Sequence, residues 1–202
     1  MLRISCSDIA KKYVKEVLFK DFNYTFEQNG KYAILGSNSS GKSTLLKIIG
    51  KAISPNMGEI VYSLSQGTES LVSFCSPEMH LLDDFTVREM FELHFNFKKA
   101  KLTKEEQWEI SGLKSFLDKK YIELSSGLKN KVKLTLALFS DTPALLLDEP
   151  CTNFDEVNLK WYNEMIDNYC SSQLIIVASN QEIEYHFCKN HINLRQFKPN
   201  LK

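Results

Sequence analysis

The nine residues Gly36-Ser37-Asn38-Ser39-Ser40-Gly41-Lys42-Ser43-Thr44 constrain this chain more than any other feature of it. They fit G-x-x-x-x-G-K-[ST], and they sit between a short strand-like segment, Tyr32 to Leu35, and the apolar stripe Leu45, Leu46, Ile48 and Ile49. The order is therefore strand, glycine loop, helix. A glycine loop in that setting turns backbone N–H groups toward phosphate oxygens, and the helix that follows adds the partial positive charge of its N-terminus. In this arrangement Lys42 is expected to neutralise the β and γ phosphates of a nucleotide. The Ser43 hydroxyl would coordinate Mg²⁺, and Thr44 would contact the α phosphate.

The charge balance agrees with a locally held polyanion. The 202 residues carry 25 Lys plus Arg against 25 Asp plus Glu, a formal net charge of zero, which excludes the broad basic footprint of a nucleic-acid binder. Five cysteines, Cys6, Cys75, Cys151, Cys170 and Cys188, lie far apart with no Cys-x-x-Cys pair; the pattern reads as a reduced cytosolic protein without a disulfide framework or zinc site. The first twelve residues hold Arg3, Asp8, Lys11 and Lys12 and no apolar run, so no secretory signal is expected. The longest apolar runs, Ala144 to Leu147 and Leu174 to Ala178, are far below the roughly 20 residues that span a bilayer.

Along the chain, Phe22, Tyr24 and Phe26 alternate with polar residues, which argues for antiparallel strands in the first 26 residues. Asn29-Gly30 supplies a turn into Tyr32 to Leu35. Strand-like segments at Glu59 to Leu64 and Ser70 to Cys75 flank a Gln66-Gly67-Thr68 turn. Thr86 with Glu89 and Thr103 with Glu106 have capping-box spacing, so residues 77–139 read as a helical subdomain inserted in a core formed by residues 1–76 and 140–202. From Pro143 the chain alternates buried strand, amphipathic helix (156–169) and buried strand. A mostly parallel sheet with crossover helices follows.

Two further segments carry chemistry. In Leu145-Leu146-Leu147-Asp148-Glu149-Pro150 a buried strand delivers two carboxylates at its carboxyl end, where open α/β sheets bind ligands; Asp148 can reach a Mg²⁺ shell and Glu149 can polarise an attacking water. Leu124-Ser125-Ser126-Gly127-Leu128 opens a helix with Leu128, Val132, Thr135, Leu136 and Phe139 on one face. Together with the glycine loop and Thr152-Asn153-Phe154-Asp155, these segments resemble the nucleotide-binding domain of ABC ATPases, and the order of motifs covers essentially the whole chain.

The resemblance implies an α/β, P-loop NTPase core with an antiparallel β subdomain and a small α-helical one. It also implies ATP and Mg²⁺ as cofactors and an ATPase subunit that powers a membrane transporter by head-to-tail dimerisation. In such a dimer each ATP contacts Gly36 to Thr44 of one subunit and Ser125, Ser126 and Gly127 of the other, with Asp155 in the segment beside the nucleotide. Tyr13 is placed like the aromatic residue that stacks on adenine. Asp84 to Glu89 resembles the stretch that contacts a polytopic membrane permease, which would attach a cytoplasmic protein to the inner face of the cell membrane. The second subunit could be an identical copy or a paired ABC subunit. No nucleic-acid partner is expected.

The chain departs from the family pattern at four positions, two of them in the Leu124 to Leu128 signature segment, where Ser126 replaces a glycine and Leu128 a glutamine. Cys75-Ser76-Pro77-Glu78 stands where the family has its Q-loop glutamine; the matching position is Pro77, and Glu78, the nearest polar candidate, would repel the γ phosphate unless it binds Mg²⁺ or points away. Ala178-Ser179-Asn180 stands where the family has a histidine. An Asn180 amide can donate to a phosphate oxygen but lacks the charge that raises a hydrogen bond from about 1 to about 1.5–3 kcal/mol. Losing about 1–2 kcal/mol from the transition state slows turnover about 5- to 30-fold, so slow hydrolysis is expected with Lys42 and Glu149 still in place. The alternative is a hydrolysis-poor ATP-dependent clamp or regulatory module. A nucleotide-kinase-type phosphotransferase would lack the Leu124 to Gly127 segment and the Asp148-Glu149 pair. Two structural expectations complete the reading: Lys129, Lys131 and Lys133 form a solvated helix face, and Phe91, Phe95 and Phe97 pack under the helical lobe.

Overall fold

A computed structural model describes residues 1–14, 16–64 and 71–198. The Gln66-Gly67-Thr68 turn and Ser70 lie outside the described residues. The chain runs β1 (Arg3–Tyr13), β2 (Glu16–Glu27), β3 (Lys31–Leu35), α1 (Lys42–Ile49), β4 (Met57–Ser63), β5 (Val72–Cys75), α2 (Val87–Phe97), α3 (Lys104–Ser111), α4 (Ser126–Phe139), β6 (Ala144–Asp148), α5 (Glu156–Tyr169), β7 (Leu174–Ala178), α6 (Glu182–Tyr185) and β8 (Asn190–Asn193). Short 3-10 turns lie at Lys114–Phe116, Tyr121–Glu123 and Leu194–Phe197.

Two sheets form. β2-β1-β4 is antiparallel, and β5-β6-β7-β3-β8 is parallel throughout. The apolar strands of the second sheet are buried on both faces, as crossover topology requires. Parity divides them: Ile34, Leu146 and Ile176 join α1 and the antiparallel strands in one core, while Ala33, Leu145, Leu147, Ile175 and Val177 join α4 and α5 in another. A third cluster, built on Val87, Met90, Phe91, Leu113 and Tyr121, lies under α2 and also takes in Val132 and Leu136 of α4. Helix α4 thus has one face in the helical cluster and another on the sheet. β8 carries a single buried residue, Ile192, at the sheet edge, too little apolar signal for the sequence to announce it.

Both capping boxes form. Thr86 and Thr103 each accept from the N–H three residues on, and Glu89 and Glu106 return the bond to the cap residues. The aromatic expectation holds only in part: Phe91 is buried, but Phe97 is 80% exposed and belongs to the surface. The basic run is also corrected. Lys133 is buried, and its ammonium donates to the carbonyls of Ser76, Pro77 and Met79 at 3.4, 2.8 and 3.3 Å, while Lys131 lies over the Trp161 ring and bonds Asn158 Oδ1. Burial pushes the Lys133 ammonium's pKa down. Sequence spacing shows which residues share a helix face but not that the segment after β5 folds over this one.

Candidate active site

Because the five strands run parallel, the segments leaving β5, β6, β7 and β3 emerge along one edge of the sheet, where doubly wound folds place ligands. Ser76 follows β5, Asp148 and Glu149 close β6, Ser179 and Asn180 follow β7, and the glycine loop follows β3. Four connections remote in sequence meet there.

The loop wraps a pocket of about 270 Å³ lined by Asn38, Ser39, Ser40, Gly41, Lys42, Ser43 and Thr44, with Glu149 from β6 and Leu18 from β2. Gly41 has φ +97°, and a Cβ there would lie 3.0 Å from the Phe19 ring, so both conformation and space require glycine. Gly36 and Ser37 offer their carbonyls to the Lys42 ammonium, at 3.0 and 3.4 Å. Ser40 is buried, and its N–H closes a turn on the Ser37 carbonyl at 3.0 Å. Burial pulls the Lys42 pKa down, against the nearby Glu149 and Asp148 carboxylates, which raise it.

The Ser43 hydroxyl donates to Asp148 Oδ1 at 2.8 Å, and the Ser76 hydroxyl donates to Oδ2 at 3.3 Å. Burial raises the Asp148 pKa, with those two hydroxyls and the charge of Lys47 opposing. Two hard oxygen donors this close suit a small divalent cation that keeps waters and phosphate oxygens as its other ligands. Among the described residues no group of three or more His, Cys, Asp or Glu could hold a metal.

Glu149 sits at φ +41°, a strained conformation for a non-glycine residue, and its N–H donates to the Ala178 carbonyl at 2.9 Å. Asn180 reaches the loop directly: its Nδ2 donates to Asn38 Oδ1 at 2.9 Å. Glu78 does not face Asp148. Its exposed carboxylate pairs with Lys47 on α1, which holds its pKa below the usual carboxylate range. Tyr13 is not among the residues lining the pocket; it is half exposed at the β1–β2 end with the Lys11 ammonium 5.2 Å from its ring centroid, and Leu18 is the pocket residue from that sheet.

The signature segment stands apart. Ser125 and Ser126 are exposed, and Ser125 caps α4 by accepting from the Leu128 N–H at 3.3 Å. Gly127 packs so closely on the loop after β6 that a Cβ would lie 2.9 Å from the Asn153 carbonyl oxygen. Asn130 Nδ2 donates to the Pro150 and Thr152 carbonyls at 2.8 and 3.1 Å, tying α4 to that same loop. Asp155 caps α5 by accepting from the Asn158 N–H at 2.8 Å. None of these residues lines the glycine-loop pocket of its own chain.

Residues 19–152 match the family model for ABC transporters. The chain belongs to the ABC transporter family. As an ABC cassette it is an ATP-binding and ATP-hydrolysing subunit of a transporter. It is 33% identical over 175 residues to the lipoprotein-releasing system ATP-binding protein LolD of Saccharophagus degradans, covering 77% of each chain. It is 27% identical over 198 residues to ABC transporter A family member 11 of Dictyostelium discoideum, spanning 92% of this chain and 23% of that relative. In fold it is similar to a bacterial ABC transporter cassette solved as a dimer, with TM-score 0.79, 20% identity and coverage of 95% and 94%. No helix among the described residues is long and apolar enough to cross a membrane.

Proposed function

We propose that this ABC cassette binds MgATP in the glycine-loop pocket and hydrolyses it slowly at the interface of a head-to-tail dimer. The observation that carries the dimeric part is the separation of the two half-sites: Ser125, Ser126 and Gly127 do not line the pocket that Gly36 to Thr44 form in the same chain. A second copy, or a paired ABC subunit, would bring its signature segment and Asp155 to the γ phosphate. The dimeric cassette that shares this fold supports the reading.

Within the site, Lys42 would leave the Gly36 and Ser37 carbonyls for the β and γ phosphates, with the α1 N-terminus behind it. Ser43 and Asp148 would hold Mg²⁺, which when bound offsets charge on the phosphate oxygens. Glu149, which lines the pocket, would accept the proton of the attacking water, and Asn180 would donate its amide hydrogen to a γ-phosphate oxygen. Tyr13 would reach adenine only if the β1–β2 end closes over the pocket.

The membrane partner would be a polytopic permease. An apolar surface groove of about 290 Å³ between α2 and the segment after β5 supports this, lined by Leu81, Leu82, Met90, Leu93, Phe97 and Leu136, with Leu82 and Phe97 well exposed. Attachment would be peripheral, on the cytoplasmic face.

The test compares wild type with Glu149→Gln. Wild type should release phosphate from MgATP, the variant should lose about 10²- to 10⁴-fold, and the variant should sediment as a dimer with MgATP and a monomer without it. Equal turnover in the two proteins removes the hydrolytic role of Glu149 and favours the clamp. A variant that stays monomeric with MgATP ends the dimer reading.

A further inference from the structure

Glu184 is a fully buried carboxylate outside the residues assigned above. One oxygen accepts from the Cys151 N–H at 2.8 Å, two residues beyond Glu149. The other is hydrogen-bonded to the Ser179 hydroxyl, immediately before Asn180. That hydroxyl also accepts from the Gln181 N–H at 2.9 Å, so Asn180 is flanked by bonded neighbours. The main chain at Glu184 is held from behind, because the Tyr162 hydroxyl on α5 donates to its backbone carbonyl at 2.9 Å. A short helix, α6, is thus pinned to α5 and presents one side chain to two strand ends.

We propose that Glu184 is a positioning residue for hydrolysis, fixing the segment that carries Glu149 and the segment that carries Asn180 in one register. The inference rests on the functional roles proposed above for those two residues. Burying a carboxylate costs free energy unless its oxygens are bonded, and both oxygens here are bonded to segments that bear reacting groups. What the carboxylate adds is a common reference for two loops that also meet where the Glu149 N–H donates to the Ala178 carbonyl. Glu149 sits in a strained left-handed conformation, which persists only where its surroundings over-determine it. Displacement of a reacting group by about 1 Å can cost about 100-fold in rate.

The test measures kcat, KM and nucleotide affinity for wild type, Glu184→Ala and Glu184→Gln, alongside thermal unfolding. Glu184→Ala should lower kcat about 10- to 100-fold with nucleotide affinity nearly unchanged, since the carboxylate bonds neither Lys42 nor any residue of the glycine loop. Glu184→Gln should recover most of the loss, because its amide oxygen can accept from the Cys151 N–H and its amide nitrogen can donate to Ser179. Unchanged kcat in the alanine variant overturns the proposal. So does a loss the glutamine does not rescue, which would point to charge, or a parallel fall in affinity and melting temperature, which would point to general support. Should Glu184→Ala not fold, Ser179→Ala removes one link alone: it should slow wild type but have little effect in an Asn180→Ala background, and equal effects in both overturn the proposal. Wild type without measurable turnover would instead sink the parent reading, and this one with it.

Discussion

Asn180 Nδ2 donates to Asn38 Oδ1 at 2.9 Å, joining the end of β7 to the glycine loop across 142 residues of chain. The residue standing at the family's histidine position therefore touches the glycine loop. Its deficit is one of charge. Asn180→His should raise phosphate release at saturating MgATP about 5- to 30-fold, the rate equivalent of about 1–2 kcal/mol. No gain in a single-turnover assay would mean that another group supplies the interaction.

Lys133 is the donor to three carbonyls of the segment that carries Ser76. Lys133→Met keeps the stem and removes the ammonium, leaving those carbonyls without it, and should cost about 1–3 kcal/mol. The check is chemical denaturation at neutral pH, where the midpoint should fall with the slope unchanged. A stability equal to wild type would show that water replaces the ammonium without loss.

His94 hydrogen-bonds the Ser140 hydroxyl at 2.9 Å, and burial, helped by the charge of Lys98, pulls its pKa down to about 4. A folded pKa below the unfolded value of about 6.5 means that the unfolded chain takes up the proton first as pH falls. The stability His94 contributes is complete above pH 6.5 and is lost progressively from there to about pH 4. Denaturation midpoints of His94→Gln should fall less steeply than wild type across that window. Parallel curves would rule His94 out as the source.

Phe97 is 80% exposed at the end of α2, in the apolar groove it shares with Leu82, where we propose that a permease docks. Because it buries little, Phe97→Asp should leave thermal stability within about 0.5 kcal/mol of wild type and ATP turnover of the isolated protein unchanged. Co-purification with a membrane protein should be lost. Undiminished recovery of that partner would place the docking surface elsewhere.

Much of the site was legible because its chemistry is local. A glycine loop needs Gly41 at φ +97° beside Phe19, a capped helix needs Thr86 and Glu89 three residues apart, and a strand buried on both faces needs the unbroken apolar run before Asp148. What spacing could not show is which side chain wins a place beside another segment. Glu78 was the nearest polar candidate for the nucleotide site, yet Lys47 on α1 takes its carboxylate and the shorter Ser76 reaches Asp148. The resemblance implies Tyr13 at adenine; in the structure Tyr13 does not line the glycine-loop pocket, to which β2 contributes Leu18.

The sequence by itself determined the glycine loop, the acidic strand end, both capping boxes and the α/β alternation, because each follows from backbone geometry or side-chain periodicity within about a dozen residues; the Leu124 to Gly127 segment reads there as a helix cap and gains its role only from the family resemblance. Only the tertiary structure decided that four strand ends meet at one edge, that Lys133 and Glu184 are buried, and that the signature segment lies outside its own chain's pocket. Those outcomes depend on desolvation and on hydrogen bonds between residues tens of positions apart. Neither is encoded in spacing along the chain.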